Sequence, residues 1–109
     1  MSIINSLIDG TYNNEEFKKI LEDHLSVFKA DTITLDVNPV DANRFEYDLF
    51  SVLRELKVDP KLHWITMRVN GMNSPMDYKK EMLKLEIPNV DKFESLLSTF
   101  NSSQVKNKV

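Results

Sequence analysis

Apolar residues recur along this chain with two different periods, and the change between them marks out the elements. Ile3, Ile4, Leu7 and Ile8 share one helical face before Gly10, a residue suited to the left-handed turn that ends helices. Asn13 followed by Glu16 reads as a capped start, and Phe17, Ile20, Leu21, Leu25 and Phe28 then fall on one face, which predicts a helix over 14–28. From Thr32 to Val37 the period becomes two, with Ile33, Leu35 and Val37 alternating against Thr34 and Asp36 as in a half-buried strand that Asn38-Pro39 ends.

Helical spacing returns after Asp41, a candidate cap. Phe45, Leu49, Val52, Leu53 and Leu56 share a face, so one long helix is expected over 41–58. Asp59-Pro60 starts a shorter helix that carries Leu62, Ile65 and Val69 inward and closes at Asn70-Gly71, before the loop Met72-Asn73-Ser74-Pro75. Leu83, Leu85 and Ile87 alternate with Lys84 and Glu86 as a second strand, stopped at Pro88. Asp91 is a candidate cap for a last helix bearing Phe93, Leu96, Leu97 and Phe100, and the polar segment 101–109 is expected to be disordered. The division is a helical extension over 1–29, a core over 30–89 and a C-terminal helix and tail over 90–109.

Composition narrows the function classes. At 109 residues with 41% hydrophobic positions, one modest core is expected. With 14 basic against 17 acidic residues the net charge is −3, so no overall positive field favours nucleic acid or anionic lipid. The absence of cysteine excludes disulfides and thiolate chemistry, and two glycines leave no phosphate-cradling loop. No apolar run approaches a bilayer span of about 20 residues, so a protein made and assembled in the cytoplasm, without a membrane partner, is expected.

The candidate chemistry is sparse. His24 has Asp23 and Ser26 nearby, but such neighbours on a helix project in different directions, and His63 has neither a second histidine at i+4 nor an acidic partner at metal-ligand spacing, so neither a metal nor a cofactor is expected. The carboxylate pairs Glu15-Glu16 and Glu22-Asp23 belong to solvated helix faces, and an enzyme is not expected. Trp64, the only tryptophan, fits core packing between two helices, with an interface anchor as the alternative. Met67, Met72, Met76 and Met82 cluster around one helix-loop-strand segment, where a flexible thioether suits either core filling or docking.

The order strand, helix, helix, strand and the stretch 48–88 resemble a LysM module. Leu62-His63-Trp64, Asn70-Gly71, Asn73-Ser74-Pro75 and Leu85-Glu86-Ile87-Pro88 fall in that family's order. Asp59-Pro60-Lys61-Leu62-His63-Trp64 is similar to the LysM-like segment of baseplate wedge proteins in contractile-tailed phages. The resemblance implies an α+β fold with a β-α-α-β core, in which a two-stranded antiparallel sheet packs on a helix pair between extra N- and C-terminal helices. It further implies a phage virion protein of the tail or baseplate, oligomeric and held to other virion proteins by passive contacts. Sugar-binding LysM modules open their first helix with Gly-Asp-Thr, where this chain has Asn38-Pro39-Val40-Asp41-Ala42, so protein contacts rank above binding of N-acetylated cell-wall glycan. A small phage regulatory protein is the third reading. Ile4, Trp64, Arg68, Asn70, Met72, Asn73, Ser74, Pro75 and Tyr78 are the candidate interface or glycan-groove residues.

Overall fold

The computed structural model describes residues 14–107, with side chains described through Ser102. Within that span the chain is mixed α+β: a two-stranded antiparallel sheet and several helices share one hydrophobic cluster. The predicted helix at 1–10 lies outside the described residues.

Asn14, rather than Asn13, caps the first helix, its Oδ1 accepting from the Glu16 and Phe17 amides at 2.8 and 3.3 Å. The predicted helix over 14–28 is two helices, α1 (Glu15–Asp23) and α2 (Leu25–Lys29). They divide at His24, whose Nδ1 donates to the Ile20 carbonyl at 2.8 Å while its own amide is shared between Ile20 and Leu21. The break falls without glycine or proline, at a residue whose backbone turns out of the helical region (φ −106°, ψ 13°) and whose amide and ring both bond the Ile20 carbonyl.

The expected long helix over 41–58 is also divided. Asn38 caps α3 (Pro39–Arg44), with proline at the first helical position, and Asp48 caps α4 (Leu49–Glu55). Between them Tyr47 takes φ 66° and donates its amide to the Tyr78 carbonyl at 2.8 Å, a tertiary bond that periodicity cannot foresee. Helix α4 closes with Lys57 at φ 62°. The Lys57 amide donates to Arg54 and the Val58 amide to Leu53, the paired bonds of a Schellman turn without its usual glycine. Gly71, at φ 79°, serves the same turn after α5, where its amide reaches Arg68 and that of Met72 reaches Met67. The predicted helix over 60–70 begins as a 3₁₀ turn, Pro60–Leu62, and becomes helical as α5 (His63–Val69).

Strand β1 (Thr32–Asp36) pairs antiparallel with β2 (Lys84–Pro88), with Thr34 opposite Glu86. Bonds from Val37 N–H to the Leu83 carbonyl and from Asn89 N–H to the Asp31 carbonyl extend the ladder at both ends. Helix α5 lies against β2, so Leu85 and Ile87 are buried. The apolar alternation of β1 does not bury it equally: Val37 is buried, Leu35 half-buried, and Ile33 is 63% exposed. One short helix over a two-stranded sheet covers one strand better than both.

The last helix, α6, spans Val90–Asn107, so the expected disorder from Asn101 is corrected to helix through residue 107. No glycine or proline follows Pro88, and once a helix is nucleated each further residue adds a bond. Its Phe93 and Phe100 rings flank Phe17 of α1 at centroid distances of 5.7 and 5.3 Å, and all three are buried. The terminal helices therefore join the same core as the strands.

Candidate protein-docking site

The sheet has two unlike edges. On β2 the Asn70 carboxamide stands in for a third strand, its Nδ2 donating to the Glu86 carbonyl at 2.8 Å and its Oδ1 accepting from the Glu86 amide at 2.9 Å. Glu86 thus turns its backbone away from β1. Bonded and non-bonded pairs alternate in an antiparallel ladder, so Ile33↔Ile87 and Leu35↔Leu85 are the bonded pairs. The amides and carbonyls of Thr32, Thr34 and Asp36 consequently point outward from β1, and among the described residues nothing pairs with them.

Beside this open edge lies a cleft of about 500 Å³, between the sheet and the turn that joins α4 to α5. Its floor is apolar, formed by Ile33, Leu35, Leu56, Val58, Leu62 and Ile87, with Val90 42% exposed at its margin. Asp31, Asp59, Asp91 and Lys57 rim it. Lys92 stands 3.4 Å from Asp31, and Lys61 pairs with both Glu94 and Asp59, contacts that hold the Lys61 ammonium in its charged form and raise its pKa, the Glu94 bond most strongly. On the opposite, solvent face of the sheet the Glu86 carboxylate accepts from the Thr32 and Thr34 hydroxyls, both at 2.7 Å. These bonds, that of Thr34 foremost, lower its pKa. Lys84 donates to Asp36 at 2.7 Å, which raises the lysine pKa.

The candidate residues inferred from sequence lie mostly elsewhere and serve the fold. Ile4 is outside the described residues. Trp64 is half-buried against the core, with the Lys18 ammonium 5.7 Å from its ring centroid. Arg68 binds Glu22, the Met72 carbonyl and the Asn73 Oδ1, so it ties α1 to the loop that follows α5. Asp77 accepts from the Asn73 and Ser74 amides and completes a capping box with Ser74, with Pro75 at the first position of the short turn Pro75–Asp77. Met72 and Tyr78 are corrections, since they are 3% and 0% exposed and offer no contact surface. The Tyr78 hydroxyl donates to the Met82 carbonyl, and burial pushes its pKa up.

Arg68, Met72 and Asn73 are therefore brought together, while Asn70 faces the sheet and Tyr78 the interior. At the turn from β1 into α3, where sugar-binding LysM modules carry Gly-Asp-Thr, the Asn38 carboxamide is engaged in capping α3. At the cleft, the exposed apolar residues that sequence reasoning did not offer as contacts are Ile33 and Val90. Period two placed Ile33 inward, and only its position on an uncovered strand exposes it.

His63 is buried and donates from Nε2 to the Val58 carbonyl at 3.0 Å, with its ring stacked on Phe50 at 5.5 Å. Burial is the main cause that lowers its pKa. Among the described residues no three His, Asp or Glu side chains converge as metal ligands, and no helix is long and apolar enough to cross a membrane. Comparison of the chain with protein families, with curated proteins and with solved structures finds no match.

Proposed function

We propose that this chain is a non-enzymatic assembly protein that works through protein-protein contacts, a LysM-like component of a contractile phage tail or baseplate. One observation carries the contact reading: the edge of β1, unpaired among the described residues, borders an apolar cleft whose floor includes an isoleucine left largely in water. An added chain segment there would gain backbone hydrogen bonds from the edge and cover apolar area, worth roughly 25 cal/mol per Å². The LysM-like part of the reading is supported by the order of the central elements, two strands separated by helices, with the Leu62-His63-Trp64 step entering α5.

Glycan binding ranks lower because the polar groups of Asn38, Asn70 and Ser74 are engaged in caps and in the sheet. Mass spectrometry of purified phage particles tests the assignment. The expected result is the chain in stoichiometric amount within the tail, lost from particles when Ile33→Asp is introduced; absence from particles overturns it. Saturable binding of peptidoglycan fragments in calorimetry would move the reading to glycan.

A further inference from the structure

The open edge of β1 has a sequence that complements itself. Its outward backbone groups belong to Thr32, Thr34 and Asp36, spaced evenly about Thr34. We propose that β1 pairs antiparallel with β1 of a second copy about a twofold axis through Thr34, joining the two sheets into a continuous sheet of four strands. This deepens the assembly reading by naming the partner of one surface, and it rests on the contact part of that reading.

The register follows from matching. With Thr34 opposite its own copy, Thr32 faces Asp36 of the second molecule, and every outward amide and carbonyl of both strands finds a partner. Ile33 then lies across from Leu35, so the most exposed apolar residue of the strand meets a half-buried one on the same face. Threonine faces threonine at the axis, a favourable β-branched pair, and no acid faces an acid. Centring on Thr32 or on Asp36 matches fewer backbone groups, and the Asp36 register opposes two carboxylates. The Lys84–Asp36 and Thr–Glu86 contacts are made within one molecule and survive the pairing.

The two edges differ in availability. Asn70 occupies the centre of the β2 edge and Pro88 supplies no amide at its end, two devices that blunt an edge strand. Strand β1 carries no such device apart from its brevity and the charge of Asp36. An isologous contact of this kind closes on itself and yields a dimer rather than a fibre.

Sedimentation velocity of the full chain, together with amide exchange, tests the proposal through two variants at one position. Proline at residue 34 removes an outward amide that the internal ladder does not use, and edge strands accept proline at such places. Valine keeps the amide and, like proline, loses the hydroxyl that binds Glu86. The wild-type chain is expected to sediment as a dimer with the amides of Thr32, Thr34 and Asp36 protected, Thr34→Val as a dimer, and Thr34→Pro at half that mass. A monomeric wild type, or a dimer that Thr34→Pro leaves intact, overturns the proposal. If Thr34→Pro fails to fold, as circular dichroism would reveal, the exchange measurement on wild type decides, and an unprotected Thr34 amide in a dimer overturns it. These outcomes are independent of whether the chain is found in particles, so failure of the dimer and failure of the virion assignment are told apart.

Discussion

The carboxamide of Asn70 binds both backbone groups of Glu86, closing the outer edge of β2 as another strand would. Its Nδ2 also donates to the Thr66 carbonyl at 2.7 Å, so one side chain ends α5 and fastens it to the sheet. Asn70→Ala is expected to cost about 2 kcal/mol, because a half-buried amide and carbonyl lose their partners together. Urea unfolding monitored by Trp64 fluorescence measures this, and a change below a few tenths of a kcal/mol would show the bonds to be dispensable.

One turn earlier, the Thr66 hydroxyl is buried at 0% exposure and has no hydrogen-bond partner among the described residues. Valine has nearly the same shape without the stranded oxygen. Thr66→Val is therefore expected to raise stability by about 1 kcal/mol, the desolvation penalty of an unmade bond. Thermal unfolding provides the check, and a lower melting temperature contradicts it.

Acid should weaken the fold through His63. Burial lowers its pKa from the ordinary 6.5, so on acidification the unfolded chain takes up this proton before the folded one does. Stability contributed by the neutral ring is thus complete above 6.5 and is lost as pH falls below that value toward the lower folded pKa. His63→Gln can keep the donor toward the Val58 carbonyl without titrating in this range. Unfolding midpoints measured from pH 7 downward should fall more steeply for wild type than for the variant; parallel slopes would remove His63 as the cause.

Phe17 joins α1 to α6 through its contacts with Phe93 and Phe100, and its side chain is completely buried. Phe17→Ala is expected to cost about 3 to 5 kcal/mol through the cavity it leaves. Amide exchange should show α1 and α6 loosened with the rest of the core. Loosening confined to α1 and α6 at little global cost would mean that the terminal helices are independent of the sheet.

Much of the architecture was legible in residue order. The period-two runs around Leu35 and Leu85 located both strands, and the helical spacing of Phe17 and Leu21, of Val52 and Leu53, and of Phe93 and Phe100 located buried faces, because side-chain direction repeats with the backbone. Asp59-Pro60 and Asn70-Gly71 marked real boundaries, since proline and glycine restrict or free φ locally. The divisions at His24 and Tyr47 were not legible. One falls at a histidine whose backbone leaves the helical region and the other beside a backbone bond to Tyr78, and apolar spacing records neither.

The candidate docking site belongs to tertiary structure for the same reason. Sequence alternation assigned Ile33 to the inner face correctly in register, yet whether that face is covered depends on where α5 lies, and α5 lies over β2. Asn70, Met72 and Tyr78 looked available as loop-flanking polar, thioether and aromatic residues, while the folded chain commits them to the sheet and the core. Periodicity determines which way a side chain points; burial and edge exposure arise only when distant segments meet.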